Sequence, residues 1–180
     1  MKLCYFNFAI VTLLLSIGGC TNTPSHVIIA PDIMQPPDIS YNNKQIKLNV
    51  TDMRTSNHIV QIMRKDEAAT LISAQNRLEE TIKSNLSKHW IKQGLSIQSD
   101  AMNIINISIE KAVISVNQEI MEYKVQSEIV LKITITNGSQ TLTNTFKNRG
   151  NSEGPLKADI AVLERNFNQR LANLLQQILA

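Results

Sequence analysis

The chain of 180 residues carries 18 Lys and Arg against 15 Asp and Glu, 43% hydrophobic residues and two cysteines, a composition that fits one globular domain. A formal charge of +3 is too small for an electrostatic nucleic-acid binder. Six glycines and 4% aromatics leave little material for phosphate-cradling loops or base-stacking platforms.

The amino end places Lys2 before an unbroken apolar run, Phe8–Ile17, followed by Gly18, Gly19 and Cys20. A positive start, a greasy segment and small residues before a cleavage point predict a secretory signal peptide. A membrane span needs about 20 apolar residues, so this run is too short to remain as one. The other reading, a buried helix, fits poorly, because the run is not amphipathic and two glycines would end it abruptly. Ile17-Gly18-Gly19-Cys20 resembles the lipobox of bacterial lipoproteins. The resemblance implies cleavage after Gly19 and lipidation of Cys20, and Thr21 behind it implies the outer membrane, facing the periplasm. One myristoyl chain binds a bilayer only marginally, at about 0.8 kcal/mol per buried CH₂, whereas three chains would hold the protein almost permanently. With Cys4 removed and Cys20 acylated, no thiol remains for nucleophilic, metal or redox chemistry.

Residues 20–43 then read as a Pro-rich stalk, with Pro24, Pro31, Pro36 and Pro37, able to reach on the order of 60 Å if extended. His26–Ala30 interrupts it with β-branched residues that suit a strand docked on a domain edge. From residue 44 to 180 a single domain is expected. Ile46, Leu48 and Val50 alternate with polar residues as a half-buried strand does, and Ile59–Met63 reads as its hairpin partner across a turn at Asp52–Asn57. Ser73–Gln93 changes period: Leu78, Ile82, Leu86 and Trp90 define a helix closed by Gly94. Leu95–Ile97 starts a return strand. Asn103–Val116 carries Ile105, Ile107 and Ile109 on one face, with Ile104 and Ile114 as exceptions. Tyr123–Ile135 alternates most clearly of all, Asn137-Gly138 signals a hairpin, and a return strand runs through Leu142 and Phe146. Arg149–Pro155 reads as a loop with two glycines. Ile160, Leu163, Phe167, Leu171, Leu174 and Ile178 form the stripe of a last amphipathic helix. The sum predicts an α+β two-layer sandwich: an antiparallel sheet of about four to five strands with both helices on one face.

The search for chemistry yields no catalytic residue. G-x-x-x-x-G-K-[ST], G-x-G-x-x-G and G-x-S-x-G are absent. His26, His58 and His89 lack a partner at metal-ligand spacing, so no metal, cofactor or enzymatic activity is expected. Glu79 and Glu80 point about 100° apart on a helix and suit its solvated face. Asp52, Arg54 and Arg64 bracket the first predicted hairpin. A carboxylate beside guanidinium groups can lock a turn, and partner binding is the functional alternative.

The lipobox at Cys20, the Pro-rich stretch, Ile46–Val50 leading into Asp52-Met53-Arg54, Arg64, Gly94-Leu95, Asn137-Gly138 and Ser152-Glu153-Gly154 together resemble the YajG-type family of bacterial lipoproteins. That resemblance implies a membrane-anchored protein without an established activity. The expected role is a non-enzymatic accessory or adaptor that binds another cell-envelope protein and no nucleic acid. A carrier for a lipid or small apolar ligand, serving an envelope transport system, is the alternative.

Overall fold

A computed structural model describes residues 25–34 and 39–180; the signal peptide, Cys20 and the Pro36-Pro37 pair lie outside them. Its backbone is a meander of three 16-residue strands: β6 (Asn103–Gln118), β7 (Glu122–Asn137) and β8 (Gln140–Pro155). β7 is antiparallel to both neighbours along its whole length. The two-residue link Gly138-Ser139 closes the second hairpin, with Gly138 at φ +57° in the first central position, as a II′ turn requires.

One of the two apolar exceptions on β6, Ile114, has a physical cause. Ile109 lies opposite Leu131 and Lys111 opposite Val130, so Glu110 is an extra residue, a β-bulge. The bulge shifts the phase by one. Ile105, Ile107 and Ile109 before it, and Ala112, Ile114 and Val116 after it, all face the core.

Five shorter strands complete the sheet: β1 (His26–Val27), β2 (Gln45–Asp52), β3 (His58–Arg64), β4 (Thr70–Ala74) and β5 (Ser96–Ile97). The eight strands form one curled, mixed half-barrel. This overturns the expected antiparallel sheet of four to five strands in a two-layer sandwich. Ile46–Val50 and Ile59–Met63 are not a hairpin. β2 and β3 lie end to end along the same side of β6, both parallel to it, at Lys47–Asp52 against Ile104–Ile109 and Val60–Arg64 against Ile114–Gln118. β1 is parallel to β4, and β5 to β2. Alternation reports which face of a strand is buried and carries no information about the direction of its neighbour. β4, antiparallel to β3, also takes Ser73 and Ala74 out of the predicted helix. Arg149–Pro155 is the second half of β8 rather than a loop. Its glycines serve close approach, because a Cβ on Gly150 would lie 1.9 Å from the Arg170 guanidinium carbon and one on Gly154 2.6 Å from the Tyr123 hydroxyl.

The two helices, α1 (Leu78–Lys92) and α2 (Ile160–Leu179), stand where their stripes put them. Glu79 and Glu80 in the first turn of α1 oppose the positive end of its dipole, and Gly94 at φ +86° ends it. The Asp159 carboxylate accepts the Ala161 N–H at 2.8 Å and caps α2. Leu78, Ile82 and Leu86 of α1 and Phe167, Leu171 and Leu175 of α2 join Ile107, Ile109, Ile129 and Leu131 of the sheet in one core. Residues 27–33 pack there too, through Val27, Ile29 and Ile33. The Ile28 and Ala30 N–H groups donate to Glu164 and Asn168 of α2 at 2.8 and 2.9 Å. This part of the Pro-rich stretch is bound to the domain rather than extended away from it.

Candidate functional site

Between the end of β2 and the start of β3, no strand of the described residues lies against the side of β6, and Arg54 fills the gap. Its Nη1 donates to the carbonyls of Ala112, at 3.1 Å, and His58, at 3.2 Å. Its Nε and Nη2 hold Asp52 at 2.9 and 2.7 Å, and Asp52 Oδ1 also accepts the Arg54 N–H at 3.1 Å. The side chains are 8% and 14% exposed. Burial raises the Asp52 pKa, but the hydrogen bonds and charge of Arg54 outweigh it and leave the carboxyl below its ordinary value. This bidentate pair replaces the missing stretch of ladder. Arg64 is elsewhere, at the far end of β3, where Nη1 donates to Thr70 Oγ1 at 3.2 Å and lies 3.7 Å from Glu67. The structure therefore joins Asp52 with Arg54 and keeps Arg64 apart from both.

A second unpaired stretch lies on the surface. Among the described residues β8 pairs with β7 alone. In a two-residue hairpin closed by Asn137 and Gln140, even-numbered residues of β8 turn their backbone groups toward β7 and odd-numbered residues turn theirs outward. Side-chain bonds agree: Ser127 donates to the inward Gly150 carbonyl, whereas the outward Thr145 N–H is taken by Asn144 Oδ1 at 2.8 Å. Arg170 of α2 donates to the outward Arg149 carbonyl at 3.0 Å. At Arg149 the helix thus closes the edge. From Thr141 to Lys147 it stays open: the outward backbone groups of Thr141, Thr143 and Lys147 have no partner among the described residues. Beside it Leu142 is 66% exposed and Ile135 is exposed as well.

This edge was not singled out from the sequence. A signal existed: Gln140–Phe146 alternates Thr and Asn with only Leu142 and Phe146 as apolar members, far poorer than the β7 row of Val125, Ile129, Leu131 and Ile133. A weak apolar row beside a strong one marks a strand with one neighbour.

On the convex face, Glu128 of β7 clamps the bulge of β6 and the middle of β8. Lys111 Nζ and Arg149 Nε both approach it at 2.6 Å. Hydrogen bonds from these two cations pull its pKa down to about 2. Among the described residues no helix is long and apolar enough to cross a membrane, and no three His, Cys, Asp or Glu side chains gather as a metal site would need.

A lipoprotein class is defined by comparison of the whole chain. A family described as an uncharacterised lipoprotein matches residues 31–180, and the chain belongs to this family, the YajG family. No curated protein sequence matches it. Among solved structures it is similar to protein XCC0632 from Xanthomonas campestris, of family DUF330, at 12% identity and a TM-score of 0.61, covering 84% of this chain and 91% of that one. An uncharacterised protein aligns at 14% identity over 86% of this chain and 99% of the other, with a TM-score of 0.39. The first likeness concerns the fold alone.

Proposed function

We propose that the protein is a non-enzymatic accessory lipoprotein, held by Cys20 on the periplasmic face of the outer membrane, that takes up an extended segment of another envelope protein as a ninth strand. The open edge of β8 at Thr141–Lys147 carries this reading. Strand addition uses main-chain hydrogen bonds for affinity and alternate side-chain contacts for specificity, and Leu142 and Ile135 supply apolar contacts beside the edge. The core favours an adaptor over a carrier, because Phe167, Leu171 and Leu175 fill the concave face against Ile109, Ile129 and Leu131.

Photo-cross-linking residues in place of Thr141, Thr143 and Thr145 of the full, lipidated chain in cells test the edge. They should capture one envelope protein, while a probe at Lys132 on the convex face should not. Equal capture from both positions, or none from the edge, rejects the adaptor. For the anchor, Cys20→Ala should abolish labelling by radioactive palmitate, and continued labelling rejects Cys20 as the lipidated residue.

A further inference from the structure

The end of the sheet opposite the β7–β8 hairpin gathers four exposed apolar side chains from three segments: Met63 at the end of β3, Ile120 and Met121 between β6 and β7, and Leu156 after β8. Ile120 is 92%, Met121 70% and Leu156 63% exposed. Isolated surface hydrophobics are ordinary, but a cluster of them on loop tips marks a contact surface. The tips are held in place. Leu156 sits at φ +62°, a left-handed conformation that a leucine rarely adopts. Its N–H donates to the Met121 carbonyl at 2.9 Å. Gln118 joins the two loops, its Nε2 donating to the Leu156 carbonyl and its Oε1 accepting the Ala158 N–H at 3.2 Å. With Met63, Ile120 and Met121, Leu156 lines an open cleft of about 1260 Å³.

The path of the chain says what this end faces. β1 is parallel to β4, with His26 level with Ser73. β4 begins at Thr70, level with Ile62 beside Met63. β1 therefore runs away from the Met63 end, and its amino-terminal residue, His26, is the one nearer to that end. Cys20 lies six residues before His26, at most about 20 Å along an extended chain. We propose that this end is a membrane-seating platform: Ile120, Met121 and Leu156 dip into the headgroup region of the bilayer that holds the chain's own lipid. The inference rests on the anchor assigned to Cys20 and deepens it. The cleft carries three basic and four acidic side chains, so seating draws on apolar insertion rather than attraction to anionic lipid. It turns the open edge at Thr141–Lys147 away from the bilayer by about 25–45 Å, at ~3.3 Å per strand residue.

The test uses the full lipidated chain in phosphatidylethanolamine–phosphatidylcholine vesicles, with an environment-sensitive fluorophore on Met121→Cys and, separately, on Thr143→Cys. Both sites are exposed, so neither label should disturb folding. Apolar tips of this kind settle about 5–10 Å into the interface. The label at 121 should shift to the blue, lose iodide quenching several-fold and gain quenching by doxyl-labelled lipid, without dependence on salt. The label at 143 should behave as it does in water. A chain that floats with the vesicles while its 121 label stays open to iodide overturns the platform and leaves the anchor intact. Shielding that appears only in native membranes, and not in pure lipid, likewise overturns it, since a protein then covers this end. A chain that fails to float overturns the anchor, and the platform with it.

Discussion

Among the described residues, the edge of β6 beside Ala112 has no strand against it between β2 and β3, and the edge of β8 beside Thr141–Lys147 has none either. The first gap is filled by a guanidinium with a carboxylate to hold it, and the second is left to solvent. A buried carbonyl without a partner costs about 1–3 kcal/mol, whereas an exposed one is hydrated at little cost. The fold closes the gap that water cannot reach. The open one is compatible with stability and available for use, guarded from aggregation by its short length and by Lys147 and Arg149 at its far end.

The strongest way to break this contrast is Arg54→Ala. It leaves Asp52 half-buried without its cation and frees the Ala112 and His58 carbonyls. Removing one member of a buried pair costs 3–5 kcal/mol in general; Asp52 keeps some contact with water, so a loss of about 3 kcal/mol is expected in denaturant unfolding. Adding Asp52→Ala should restore part of it. A loss below ~1 kcal/mol would mean that the gap does not need filling.

The boundary between closed and open edge is tested by Gly150→Ala. The new methyl collides with the Arg170 guanidinium, whose removal frees the Arg149 carbonyl and its contact with Asn148. Two lost hydrogen bonds predict about 1–2 kcal/mol, and the open stretch should lengthen past Arg149, seen as faster exchange of the Asn148 and Ser152 amides, which face β7. Unchanged exchange there would show that α2 does not close the edge.

Glu128→Gln weakens the clamp between the bulge and β8. Two half-exposed cations on one carboxylate contribute about 1 kcal/mol together. The sign is fixed by a folded pKa of about 2 against an ordinary 4.5. The folded state binds fewer protons than the unfolded one in this window, so the wild-type advantage is full above pH 4.5 and is lost as pH falls through 2. Parallel pH–stability curves for the two proteins would exclude a charged clamp.

Much of this architecture is legible in the chain, and the exceptions share a cause. Burial imposes its period directly, so the rows Ile105–Ile109 and Ile129–Ile133 and the stripes Leu78–Trp90 and Leu163–Leu174 declare their elements. Neighbours leave no such trace. Nothing in Ile46–Val50 and Ile59–Met63 distinguishes two strands folded back on each other from two laid end to end on β6, and only Asp52-Met53-Arg54, a lock that sends the chain onward, hints at it. The bulge at Glu110 disguised Ile114 as an exception. Gly150 and Gly154 suggested a loop, because the side chains crossing above them, Arg170 and Tyr123, are distant in sequence from the glycines they need.

The gentlest change bears most directly on function. Thr143 turns its N–H outward, where proline is tolerated, since edge strands accept it at positions facing solvent. Thr143→Pro removes no internal ladder bond and should cost under about 1 kcal/mol of stability. It also takes away a donor at the centre of the open stretch and places the ring where an added strand would lie. Capture of the envelope partner by the probe at Thr141 should then fall to the background given by Lys132, in a protein that is still folded, lipidated and on the membrane. Capture that persists would mean that the partner does not bind by strand pairing, even if it contacts this hairpin. A large loss of stability would show that the Thr143 N–H faces β7, contrary to the register of Asn137 with Gln140.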